Sequence, residues 1–143
     1  MQKSGLIVAL AMLAATPSLA QTTAATPFPD LRGTWKGESE SIVSHGGNPH
    51  HAAPQESAPR LSSVPFTFTI DNQDGRRFSG NFSSPRATEP VIGVISRNGT
   101  ILLVDTDGYA MGTLLGPNRL EVCYLQIAAH GRVASCTEMN RQP

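Results

Sequence analysis

From Val64 onwards the chain repeats one pattern: short runs in which apolar and polar residues alternate, each cut off by a tight-turn signal. A period of two sends successive side chains to opposite faces of an extended strand, so each run carries an apolar face that has to be buried. "VPFTFTI" sets Val64, Phe66, Phe68 and Ile70 on one side, and "RFSGNFS" answers with Phe78, Gly80 and Phe82. A three-residue loop Gln73-Asp74-Gly75 with Gly75 left-handed predicts Ile70 opposite Phe78, Phe68 over Gly80 and Phe66 opposite Phe82. "VIGVISR" and "TILLVDT" flank Asn98-Gly99, which predicts a type I′ turn. Asp107-Gly108 and Gly116-Pro117-Asn118 break the chain on either side of "YAMGTLL".

Upstream, Arg32 to Ser44 reads as a strand with Trp35, Gly37, Ser39, Ser41 and Val43 on one face. Counting all such runs predicts an all-β chain of about eight strands with no helical period. A meander of that size closes most readily into a single up-and-down antiparallel barrel, because closure removes exposed strand edges. A two-sheet β-sandwich is the alternative.

Cys123 and Cys136 are the only cysteines. "CYLQIAAHGRVASC" reads as a hairpin with Ala129-His130 at its tip and Ala128 opposite Gly131, which sets Cys123 opposite Cys136 at disulfide distance. A bridge over so short a loop contributes about 3 kcal/mol in the chain-entropy model. Zinc sites usually use C-x-x-C spacing, which this pair lacks.

Lys3, the apolar run Leu6 to Ala15 and Ser18-Leu19-Ala20 have the layout of a secretory signal peptide over residues 1–20. Residues 21–30, "QTTAATPFPD", read as a flexible leader, and residues 31–143 as one barrel domain interrupted by a long loop at 45–63. No cysteine follows Ala20 for lipid attachment, and no later run spans the roughly 20 apolar residues of a membrane helix. The expected location is therefore periplasmic or secreted, without a membrane span. With Lys3 removed, eleven acids face ten bases and no block of like charge is present, which argues against a nucleic-acid partner.

Gly33-Thr34-Trp35 on the first strand resembles the G-x-W of the calycins, the small barrels that include lipocalins and avidins. The resemblance implies that Trp35 plugs one end of the barrel, with Arg141, near the end of the chain, stacked over it. Avidins line their biotin site with several tryptophans; Trp35 is the single one here, so biotin is not expected. "TDGY", Thr106 to Tyr109, is similar to a lipocalin T-D-Y motif but carries an extra glycine and falls one connection too early, so it reads as an Asp-Gly turn.

His45, His50 and His51 in the long loop suggest imidazole ligands for a metal, yet a Gly/Pro/Ala loop gives little support to hold them, and the expectation is no metal and no cofactor. "DTDGY" begins like a calcium loop and lacks the later oxygen ligands and closing glutamate. There is no G-x-S-x-G elbow, and His130 at a hairpin tip is expected to be exposed, so no catalytic residue and no enzyme activity are expected.

The expectation for function is a binding module. Trp35, Phe66, Phe68, Phe78 and Phe82 face inward as candidate ligand-binding residues for a small apolar molecule at the barrel mouth, with loop 45–63 as a lid. The alternative is a filled core, with the loop or leader engaging an exported protein in the manner of a protease inhibitor. Interior volume separates the two.

Overall fold

The computed structural model describes residues 28–51, 58–129 and 131–143. The signal-peptide reading, most of the leader, the middle of the long loop and His130 lie outside the described residues. Nine strands run in chain order: β1 (Gly33–Ser44), β2 (Arg60–Ser62), β3 (Pro65–Asp74), β4 (Arg77–Ser83), β5 (Thr88–Ile95), β6 (Ile101–Val104), β7 (Tyr109–Gly116), β8 (Arg119–Ala128) and β9 (Gly131–Arg141). From β3 to β9 each strand pairs antiparallel with the next, and β1 pairs with both β3 and β9. The result is a closed eight-stranded up-and-down barrel, and the sandwich alternative falls away.

β2 is the ninth strand. It pairs with β1 through Ser41↔Ser62 and Val43↔Arg60, on the side where β3 pairs with the earlier half of β1. β2 and β3 therefore form one interrupted edge. At the break, Ser39 N donates to Val64 O (2.9 Å), and Val64 N donates to the Ser39 hydroxyl (3.0 Å). A side chain thus supplies the hydrogen bond that a regular ladder would have given.

One end of the barrel is sealed as the calycin resemblance implies. Trp35 is fully buried, its Nε1 donates to Leu31 O (2.9 Å), and the Arg141 guanidinium carbon lies 4.1 Å from the ring centroid. Arg141 also donates to the carbonyls of Arg32 and, at 2.7 Å, Asp30. The indole reaches a carbonyl only four residues back because the chain doubles over at Gly33, whose φ of 118° disfavours other residues. Phe68, Ile70, Ile95, Ile101, Leu120 and Met139 fill the space above it. Asp30 is held at a pKa of about 2, chiefly by its hydrogen bonds from the Arg32 side chain and backbone.

The hairpin β8–β9 has the expected register, with Cys123 opposite Cys136 and Ala128 opposite Gly131. The disulfide is formed across a Cα separation of 4.0 Å. Val133, Ser135, Thr137 and Met139 are buried and the residues between them exposed, so the bridge rides on the outer face.

Three expectations need correction. In β3–β4, Phe68 lies opposite Phe82 and Ile70 opposite Gly80, because a bulge after Ile70 leaves Asp71 and Asn72 both exposed. The extra residue reverses the alternation and turns Gln73 toward the N-terminal segment, where its side chain accepts from Leu31 N (2.8 Å) and donates to Pro29 O (2.8 Å). The ring lying over a glycine is therefore Phe78 on Gly93, not Phe68 on Gly80. The Asn98-Gly99 turn is not type I′, since Gly99 (φ 88°) is left-handed and Asn98 is not; Ser96 N instead donates to Thr100 O across a three-residue loop. Finally, loop 45–63 is not simply exposed: His50 and His51 are 4% and 2% accessible.

Removing a large ring from a sealed end leaves a cavity that the closed barrel cannot collapse. Trp35→Ala should cost about 3 to 5 kcal/mol in urea unfolding followed by far-ultraviolet circular dichroism, and a loss near zero would contradict the plug. Reduction of the disulfide should cost about 3 kcal/mol in the same assay.

Candidate functional site

The opposite end of the barrel is built differently. On β1 and β9 the inward residues there include four short polar side chains, with the Val43–Val133 pair beyond them: Ser39, Ser41, Ser135 and Thr137 are all buried, and Ser41 Oγ lies 2.7 Å from Ser135 Oγ and 3.1 Å from Ser39 Oγ. Val122 and Tyr124 on β8 stand beside Thr137 and Ser135, and Phe66 on β3 and Phe82 on β4 line the same cavity. Short hydroxyl side chains on one wall leave a mouth that the barrel's own residues do not close.

The loop after β1 closes it. His45, Gly46 and Gly47 all have positive φ (56°, 90° and 71°), which folds the chain back over the rim. Asn48 then builds a tight turn: its side-chain oxygen accepts from His50 N (3.0 Å) and His51 N (2.7 Å), and its own N–H donates to His51 O (3.0 Å). Gly131 at the start of β9 makes room, since a Cβ there would sit 1.9 Å from Gly47 O. Arg86 Nε donates to Pro49 O (3.3 Å) from outside.

Both imidazoles point into the mouth. His50 Nδ1 lies 2.8 Å from Ser84 Oγ; its Nε2 comes within 2.9 Å of Glu89 Oε2 without hydrogen-bond geometry and has no hydrogen-bond partner among the described residues, and the two side chains are only 5% and 13% accessible. Its ring stands edge-on to Phe66 (5.2 Å) and Phe82 (6.3 Å). His51 Nδ1 lies 3.2 Å from Ser62 Oγ, and its ring is 5.6 Å from Phe66. Burial, reinforced by the charge of His50, pushes the His51 pKa down to about 4. The Tyr124 hydroxyl, 3.5 Å from Asp105 Oδ1, is shifted upward by burial first and then by Asp105, Asp107 and Glu89.

With the loop in place little space remains. Two adjoining cavities of about 20 and 30 Å³ share Phe82, Asp105, Val122 and Tyr124 on their walls, and each holds one or two waters at most. The interior is filled.

Of the five residues expected to bind ligand, Phe66 and Phe82 line the mouth, Trp35 and Phe68 are fully buried at the sealed end and in the middle, and Phe78 packs on Gly93. Sequence reasoning missed Asn48, Ser84, Glu89, Asp105 and Tyr124. Glu89 did carry a signal, because it stands two before Val91 on the inward alternation of β5. His50 and His51 are seated by barrel side chains, not left in solvent as a Gly/Pro loop suggested. Among the described residues no group of three or more His, Cys, Asp or Glu gathers for a metal ion. Asp105 instead caps its turn, accepting from Asp107 N (2.9 Å) and Gly108 N (2.7 Å).

Ser84, His50 and Glu89 form a hydroxyl–imidazole–carboxylate row. Ser84 Oγ also accepts from Arg86 N (3.2 Å) and Ala87 N (3.3 Å), capping the β4–β5 turn.

Fold and site together define a small closed antiparallel barrel, plugged at one end by a tryptophan and lidded at the other by a histidine loop. No protein-family model and no curated protein matches the chain. Among the described residues no helix is long and apolar enough to cross a membrane.

His51 titrates near 6.5 in an open chain and near 4 when folded. Between those values the unfolded state binds more protons, so stability is present above pH 6.5 and is lost as pH falls toward 4. Relative to His51→Gln, the natural chain should lose up to about 1.4 kcal/mol per pH unit in that window by urea unfolding. Parallel curves for the two proteins would contradict a buried neutral His51 packed against His50, Ser62 and Phe66.

Proposed function

We propose that the chain is an exported, non-enzymatic binding module of calycin-like fold, whose ligand site is the barrel mouth beneath the loop bearing His50 and His51. The supporting observation is that the mouth is stoppered by loop side chains resting on barrel side chains, whereas the other end is sealed by the strands' own Trp35 and Arg141. A loop held by a few hydrogen bonds opens at lower free energy than a closed sheet. Export agrees with the disulfide. The filled apolar interior points away from a ligand deep in the barrel and toward one that replaces the lid.

The Gly131→Ala substitution tests this directly, since its Cβ would sit 1.9 Å from Gly47 O and should push the lid away from the start of β9, while Phe66, Phe82 and Tyr124 are unaltered residues of the barrel. In the variant, His51 should titrate near its ordinary value, and a small-fragment NMR screen should find molecules that perturb Phe66, Phe82 and Tyr124. A displaced lid with no fragment bound in the mouth would contradict the reading.

A second reading, a protein-interaction module with a filled core, is supported by the smallness of the two interior cavities, the outcome expected for it, and by one surface feature. Ile92, Leu102, Val104, Tyr109 and Met111 are 42% to 62% accessible and neighbour one another on the outer face of β5–β7. A contiguous exposed apolar strip is a recurrent feature of protein contact surfaces.

A further inference from the structure

We propose that the ligand of this mouth is a small organic cation with a flat apolar ring, which takes the place His50 occupies in the closed chain. The inference rests on the reading of the mouth as a binding site and names its ligand class. His50 itself supplies the model of the bound state: a flat ring with one nitrogen 2.9 Å from a nearly buried carboxylate, its edges packed against two phenylalanines.

Glu89 is the residue that makes the arrangement informative. A carboxylate facing into a barrel needs a partner, and removing that partner leaves a buried charge unpaired. A plug with a purely structural task is as well made from apolar side chains, because an ion pair in such a place rarely adds stability over a well-packed hydrophobic contact. Here the carboxyl group sits on a strand and the imidazole beside it on a loop, so each lifting of the loop leaves Glu89 next to aromatic walls without that ring.

The carboxylates around it are carried by barrel elements, and of the bases only Arg86 is. Asp105 lines the mouth and Glu89 meets His50 beside it, and with Asp107 they act on the Tyr124 hydroxyl. The bases are His50 and His51, both carried by the lid, and Arg86, which holds the lid at Pro49 O. Phe66, Phe82 and Tyr124 offer ring faces and edges to a cation that enters, a favourable pairing in a partly dry site.

Benzylamine, benzyl alcohol and benzoate share one ring and differ in charge, and their affinities can be measured calorimetrically at pH 7 for the natural chain and for Gly131→Ala. An open state populated at 0.1% to 10% means that displacing the lid should tighten benzylamine binding by at least about tenfold. Benzyl alcohol and benzoate should bind at least about tenfold more weakly than benzylamine, and adding Glu89→Gln should abolish that preference. Should Gly131→Ala fold poorly, Asn48→Ala loosens the lid by removing the acceptor of the His50 and His51 amides. Equal binding of the alcohol and the amine, or a preference that survives Glu89→Gln, overturns the cation while leaving the mouth as a site. Failure of all three probes to bind a lid-displaced variant overturns the mouth itself.

Discussion

The pairing of β1 with β9 is the constraint on which everything else depends. It runs from Trp35↔Arg141 at one end to Ser44↔Arg132 at the other and turns an eight-strand meander into a tube with no free edge along its seam. The same pairing brings Arg141 over Trp35 and lines up Ser39, Ser41, Ser135 and Thr137 as a wall of short side chains. One seam therefore decides both ends: it seals the first with a ring and a guanidinium, and leaves the second too thinly filled to close itself.

The lid follows from that asymmetry. Small hydroxyls satisfy one another across the seam, but they do not fill the volume between β1, β9 and the Phe66–Phe82 wall, and an interior packed to ordinary density needs something there. Two imidazoles supply it. Imidazole suits the task because it combines a flat apolar ring for the phenylalanines with nitrogens for Ser84, Glu89 and Ser62. The chain thereby buries polar residues beside polar partners, and it does so from a loop and not from a strand.

The fold was largely legible in the sequence because alternation and turn residues are local signals. Gly33 and Trp35, the Cys123–Cys136 hairpin and the aspartate-capped turn before Tyr109 all lie where local rules put them. The β3–β4 register was not legible, since the bulge at Asp71 and Asn72 is set by what Gln73 has to reach 42 residues upstream, at Leu31. The mouth was hidden for the same reason. Nothing near His50 in the sequence announces Ser84 or Glu89, and a loop rich in glycine and proline resembles solvent-exposed chain until its distant partners are known. Phe66 and Phe82 were found because strand periodicity names them; Tyr124 and Asn48 act through contacts that only the closed barrel creates.

Native-state amide hydrogen exchange tests the central claim, a lid that lifts from an intact barrel. The amides of His50 and His51, hydrogen-bonded to Asn48, should exchange through an opening of much lower free energy than the amides of the β8–β9 hairpin, and with far less dependence on denaturant. If the lid amides exchange only with the barrel, at the same free energy and with the same denaturant dependence, then His50 and His51 belong to the core and the mouth is not a site.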